Sequence, residues 1–200
     1  MLTVVLATSN PGKVREIKKI LALKGLNLLC LADLHQKIGI VENGKTFKEN
    51  AIKKATAVSK RTGLIALADD SGLCVNALNK KPGIRSARFV APPATPKRLC
   101  KKLLRVMKNV PDGKRTAYFV CAVAIARPGK KIKTIEGKVR GSVICQLKGR
   151  RGFGYDPVFV PCGSHKTFAQ ISTAQKNKIS HRGIAFRKTR KHLSSILRGR

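Results

Sequence analysis

Two adjacent carboxylates, Asp69 and Asp70, sit in the apolar run LADDSGLCVNAL (residues 67–78) of a 200-residue chain with nine acidic residues against 43 Lys plus Arg. Like charges that close raise each other's pKa, and burial raises both further. The arrangement is costly unless a cation or a reaction uses it. Glu42, Glu49, Asp69 and Asp70 place four of the nine acids within 29 residues, and both aspartates lie in residues 62–79, the longest stretch free of Lys and Arg. A buried strand excludes long basic side chains, yet it should exclude Asp too. Hard carboxylate oxygens hold Mg²⁺ together with a substrate phosphate, and a neighbouring carboxylate can take a proton from water. A magnesium role follows for the acids, with Glu49 assigned to a helix capping box instead.

Three further segments carry polar chemistry. In Thr8-Ser9-Asn10-Pro11-Gly12-Lys13, hydroxyls, an amide and a lysine stand between a strand and a helix. Backbone N–H groups at such a helix start suit a phosphate chain. The GxxxxGK[ST] spacing of a Walker loop is absent, and a plain strand-to-helix turn is the competing reading. In Gly152-Phe153-Gly154-Tyr155-Asp156-Pro157, a phenyl ring flanked by glycines can lie open against a planar ring, and Asp156 can accept hydrogen bonds from ring N–H groups. The competing reading is a hairpin turn with its aromatics in the core. Lys176 with Ser180-His181-Arg182-Gly183 gathers donors at a helix N-terminus, suited to phosphate or base oxygens; a capped helix with a surface histidine is the alternative. Together the segments ask for a ligand with phosphates, a metal and a planar base, which a nucleoside triphosphate satisfies.

The elements that must position these residues follow from periodicity. Thr3–Thr8 reads as a strand, followed by a tight loop and a helix bearing Val14, Ile17, Ile20 and Leu21. Residues 26–31 are a second strand. Thr46-Phe47-Lys48-Glu49 has capping-box form and opens a helix over 47–60. Residues 65–70 form a strand, and 73–78 pair with it or continue the sheet. Thr95-Pro96 opens another helix with Leu99, Leu103, Val106 and Met107 on one side. Residues 116–126 are a strand, leading by a hairpin through Pro128-Gly129 into 132–144. Residues 152–161 form a glycine-rich loop entering a short strand, and Ser180 caps a closing helix from His181 to about Leu197. This order predicts one α/β unit, residues 1–200 as a single domain, with a mixed twisted sheet flanked by helices. The later hairpin suggests a small second lobe and a ligand groove between lobes.

Composition narrows the class. A hydrophobic content of 42% supports a globular core despite a net charge of +34. No apolar run approaches the roughly 20 residues of a membrane span, and no leader pattern opens the chain, so the expectation is a soluble, cytoplasmic protein without a membrane partner. The six cysteines are scattered with no CxxC pair, which favours free thiols over disulfides or zinc. The positive field would draw in nucleic acid or a small polyanion alike. Aromatic content of 4% is too low for a base-stacking platform, so nucleic acid is possible but not favoured.

In order along the chain stand TSNPGK (8–13), ENGKTFKENAIKKA (42–55), ADDSGL (68–73), PGIRSARF (82–89), GFGYDPVF (152–159) and ISHRG (179–183). This set resembles the inosine/xanthosine triphosphate pyrophosphatase family, nearly end to end. The resemblance implies an elongated α/β fold with a nucleotide cleft between two lobes, usually a homodimer. It implies Mg²⁺-dependent hydrolysis of ITP, dITP and XTP to the monophosphate and pyrophosphate, cleaning the nucleotide pool. By motif, Thr8, Ser9, Asn10 and Lys13 would hold phosphates, with Lys54 and Ser71 near them. Glu42 and Asp69 would organise the metal, with Asp70 beside them as general base. Phe153 would stack on the purine within the Gly154-Tyr155 turn, while Asp156, Lys176, His181 and Arg182 read the base.

Donors aimed at the 6-oxo group of hypoxanthine or xanthine would penalise the 6-amino group of adenine. Guanine shares the 6-oxo group, so its rejection rests on the 2-position. The chain departs from the family at Arg85 and Phe89, where tyrosines are common, at Arg150 and Arg151, where small residues are usual, and at Ala174 and Gln175, in a segment often acidic. Two alternatives stand beside this reading: a pyrophosphatase for other modified nucleotides, and a basic nucleic-acid-binding relative without triphosphatase activity.

Overall fold

The computed structural model describes residues 1–34 and 38–199. Six strands, β1 (Leu2–Leu6), β2 (Leu26–Cys30), β3 (Ile65–Val75), β4 (Thr116–Ala126), β5 (Lys133–Val143) and β6 (Phe159–Pro161), form one mixed sheet in the order β2-β1-β3-β4-β5-β6. β1 pairs in parallel with both β2 and β3, and β5 pairs antiparallel with β6. The helices are α1 (Pro11–Ile20), α2 (Phe47–Thr62), α3 (Pro96–Val106), α4 (Thr173–Ile179) and α5 (His181–Arg198). The mixed α/β architecture is thus the expected one. The chain divides into two compact units: Met1–Asp70, Cys121–Gly137 and the segment from Arg182 on, and then Ser71–Val120 with Lys138–His181.

In the first unit β1, β3 and β4 are buried on both faces, which is why they read as unbroken apolar runs rather than alternating ones. Successive side chains of a strand point to opposite faces. Leu2, Val4 and Leu6 of β1, Ile65 and Leu67 of β3, and Cys121, Val123 and Ile125 of β4 pack with Ile17 of α1 and Ala185, Phe186 and Leu193 of α5. The alternate residues Val5, Ala66, Ala68, Ala122, Ala124 and Ala126 pack with Ala51, Ala55 and Val58 of α2. One face of the sheet therefore carries α1 and α5, and the other carries α2 through a layer made mostly of alanine.

In the second unit α3 buries Leu99, Cys100 and Leu103 among Leu73, Val75, Phe119, Val158, Phe159 and Phe168. The buried Arg115 ties the chain after α3 to β5. Its Nε donates to the Val143 carbonyl at 2.8 Å, and its Nη1 to those of Met107 and Val110 at 2.9 and 3.0 Å.

Two details differ from the periodicity reading. Residues 65–75 are one strand that runs through both aspartates, and 76–78 turn off it as a 3₁₀ segment. Helix α4 was not foreseen; at seven residues it shows no apolar period, and its start is fixed by the Ser172–Gln175 capping box.

Gly141 of β5 lies opposite Pro161 of β6, and a Cβ there would collide with the Val160 carbonyl and the Phe159 ring. Gly141→Ala is expected to destabilise the protein by about 1–3 kcal/mol, the usual cost of overpacking, read as a lowered urea midpoint.

Candidate active site

Asn10 caps α1. Its Oδ1 accepts the Lys13 N–H at 3.1 Å, and its own N–H donates to Thr8 Oγ1 at 3.2 Å. Pro11 fills the first helical position, where no N–H is needed. The capped turn fixes where the Lys13 side chain departs. Lys13 Nζ stands 3.0 Å from Asp69 Oδ2 and donates to the Asp69 carbonyl at 3.4 Å. Thr8, Ser9, Asn10 and Lys13 thus form one basic, hydroxyl-bearing turn at a helix N-terminus, with Ser9 and Asn10 exposed.

Strand periodicity decides what the adjacent carboxylates meet. Asp69 shares the face of Ile65 and Leu67, where α1 and α5 pack; Asp70 shares the face of Ala66 and Ala68, where α2 packs. Asp69 Oδ2 is accordingly held by Lys13 from α1 and by Arg182 Nη2 from α5 at 3.4 Å, and the Cys121 thiol donates to it at 3.8 Å. Arg182 Nη1 reaches Glu16 of α1 at 2.7 Å. Burial alone would lower the pKa of Arg182, but the Asp69 and Glu16 carboxylates more than offset it and hold the guanidinium charged. Asp69, Glu16, Lys13 and Arg182 make a charge-balanced group in which the Asp69 side chain is wholly buried.

Asp70 meets a different set. Its Oδ2 accepts from Asn50 Nδ2 at 2.9 Å, and its Oδ1 lies 3.8 Å from Lys54 Nζ. The same ammonium donates to Glu42 Oε1 at 2.6 Å. Burial pushes the Asp70 carboxyl above the ordinary carboxylate range, and Lys54 and Asn50 pull it part of the way back. Asn50 is oriented in turn by the Gly44 N–H, which donates to its Oδ1 at 2.8 Å. A Cβ on Gly44 would lie 2.7 Å from that oxygen, so the approach requires glycine. Glu49 serves the helix start as expected, accepting from the Lys45 N–H and binding Thr46 Oγ1 through its own.

Glu42 and Asp70 converge on one cation, the Lys54 ammonium, and Asp70 keeps slight exposure while Glu42 is about a third exposed. Among the described residues no three His, Cys, Asp or Glu side chains gather as a metal cluster. Mg²⁺ usually takes one or two carboxylates plus substrate phosphates, and the hard-oxygen pair of Glu42 and Asp70 fits that need.

In the second unit, Asp156 Oδ2 accepts from the Phe153 N–H at 2.8 Å and from Lys176 Nζ at 2.5 Å. Gly152 lies beside it at φ +77°, and a Cβ there would strike the carboxylate, so the turn demands glycine. Lys176 Nζ stands 4.6 Å from the Phe153 ring centroid, a cation–π contact. Phe153, Asp156 and Lys176 are therefore one assembly. Tyr155 is buried, its hydroxyl donates to the Ser86 carbonyl at 2.9 Å, and burial raises its pKa. The Gly154 carbonyl accepts from the Cys100 thiol at 3.5 Å. These two anchor the turn. His181 stacks on Phe119 at 4.6 Å with planes 8° apart.

The structure thus gathers Thr8, Asn10, Lys13 and Asp69 in one group, Glu42, Lys54 and Asp70 in a second, and Phe153, Asp156 and Lys176 in a third. Arg182 belongs to the first group through Asp69, and Ser71 follows Asp70 on β3, half-buried. Glu16 and Asn50 were missed. Their only sequence signals are an acid one turn after Lys13 and an amide in the turn of α2 facing β3. Of the departures, Arg85, Arg150, Arg151 and Ala174 are exposed, Phe89 lies 6.0 Å from Lys102 Nζ, and Gln175 caps α4 by accepting from the Ser172 N–H.

The model of the Ham1 family matches residues 4–192. A dITP/XTP pyrophosphatase of Bacillus licheniformis is 45% identical over 98% of both chains, and one of Bacillus subtilis is 42% identical over 98% of both. Among solved structures, a HAM1 protein from Coxiella burnetii superposes with a TM-score of 0.88 at 36% identity, covering 98% of this chain and 100% of its own. The Staphylococcus aureus Ham1 protein gives 0.86 at 36% identity, covering 96% and 98%.

Removing one member of the buried charge group leaves the others uncompensated. Arg182→Met is expected to cost about 3–5 kcal/mol by chemical denaturation, the cost of breaking a buried ion pair from one side.

Proposed function

We propose that this chain, which belongs to the Ham1 family, hydrolyses the non-standard purine nucleoside triphosphates ITP, dITP and XTP to monophosphate and pyrophosphate. The activity printed in the names of its 45% and 42% identical relatives supports the substrate class. The observation that carries the reading here is the pairing of Asp70 with Glu42 across Lys54, beside the capped turn that presents Lys13.

In this reading Thr8, Ser9, Asn10 and Lys13 bind phosphate oxygens, with Lys54 and Ser71 alongside. Asp69, fully committed to Lys13 and Arg182, orients those cations. Asp70 accepts the proton of the water that attacks the α-phosphorus; the α–β anhydride bond breaks and pyrophosphate leaves. Glu42 and Asp70 would hold Mg²⁺, which would supply positive charge to offset the phosphates. Phe153 stacks on the base. Asp156 aims the Lys176 ammonium as a donor for the 6-oxo group, a contact that disfavours a 6-amino group. His181 and Arg182 complete base recognition. Six free thiols support a reducing, cytoplasmic setting, and no described helix is long and apolar enough to cross a membrane. The homodimer is part of the same proposal.

The direct test is pyrophosphate release from ITP, XTP, dITP, GTP and ATP with and without Mg²⁺. Magnesium-dependent release from the first three alone is expected; equal rates on ATP would remove Lys176 and Phe153 from base recognition. Asp70→Asn should cut turnover by at least ~100-fold, as for a general base, while nucleotide binding persists. The folded Asp70 carboxyl binds its proton more tightly than the unfolded one, so its ionised form costs stability near neutral pH, and that cost fades as pH falls through the raised value. Asp70→Asn should therefore melt at or above the wild-type temperature at pH 7.

A further inference from the structure

The second unit carries twenty Lys and Arg against two acids, Asp112 and Asp156. Asp156 is buried against Lys176, which leaves Asp112 as the other acid of this unit. The densest part is α3. Its buried residues face the core, while Lys97, Arg98, Lys101 and Arg105 are exposed and Lys102 is half-buried. Arg98, Lys101, Lys102 and Arg105 follow the i, i+3, i+4, i+7 pattern, and together they line one groove of about 560 Å³ with Phe89 and Val90. No acid lines it. Like charges at these helical spacings repel one another, and α3 has no acid in its first turn to offset them.

Two of the four cations are held in place. Arg98 Nη1 donates to the Pro93 carbonyl at 2.6 Å, and Lys102 lies over the Phe89 ring. From residue 98 to 105 the helix rises about 10 Å. Phosphates of one duplex strand recur every ~3.4 Å along the axis, so the row matches a short run of one backbone. Phe89 is the only aromatic in the lining, too little for base stacking. We propose that the α3 groove binds the phosphate backbone of duplex nucleic acid without reading base sequence. This stands apart from triphosphate hydrolysis and uses none of its residues.

The test is fluorescence anisotropy of a labelled 20-base-pair DNA duplex across a salt series. The quadruple variant Arg98→Gln, Lys101→Gln, Lys102→Gln, Arg105→Gln should lower the salt slope of log K by about 3–4, near 0.9 per lost phosphate contact. A charge-matched control, Lys130→Gln, Lys133→Gln, Lys188→Gln, Lys191→Gln, should change it by less than about one. Gln keeps helix propensity, and both variants should retain pyrophosphate release. If the quadruple variant loses its circular dichroism, the pairs Arg98→Gln/Lys102→Gln and Lys101→Gln/Arg105→Gln should each lower the slope by about two. Absence of duplex binding by the wild type, or equal losses in both quadruple variants, would overturn the proposal.

Discussion

The alternation of side chains along β3 is the constraint on which the site depends. Because successive strand residues face opposite ways, two carboxylates adjacent in sequence enter different environments. Asp69 goes to the face of α1 and α5 and meets Lys13 and Arg182; Asp70 goes to the face of α2 and meets Asn50 and Lys54. Different cations thereby offset the two neighbouring charges. The closest partners of the two carboxylates differ, and the raised Asp70 pKa traces first to burial, with Lys54, Asn50 and Lys13 lowering it and Glu42 raising it.

That division also separates labour. A carboxylate with no exposure, shared between a lysine and a buried arginine, is suited to holding cations in position. A carboxylate with slight exposure, oriented by an amide and sharing an ammonium with Glu42, is suited to meeting a metal, a water and a proton. The alanine layer beneath α2 contributes here as well. It packs α2 on the sheet face that carries Asp70, and Asn50 and Lys54 are α2 residues.

Much of this was legible in the residues. The capped turn at Asn10, the Thr46 helix start and the closing helix at His181 were marked by local chemistry that acts over three or four residues. The Gly152–Asp156 turn was marked by a glycine that the carboxylate contact requires. What stayed hidden depends on pairing between distant segments. Nothing local in Glu16 announces that Arg182, 166 residues away, will bind it. The fate of Asp69 and Asp70 was obscured for a related reason: both lie in the strand read over 65–70, so alternation already set them on opposite faces, but nothing local told which helices would pack on each face. Tyr155, read as part of a base-binding turn, proved to be held by Ser86 from another loop.

The most direct test of this account is a ¹³C carboxyl NMR titration of Asp70 in the metal-free wild type and in Asp69→Asn. With the two acids on opposite faces, removing the Asp69 charge should leave the Asp70 midpoint no lower than in the wild type. A fall of about a unit or more would mean that the two carboxylates titrate as a coupled pair, and would contradict the account.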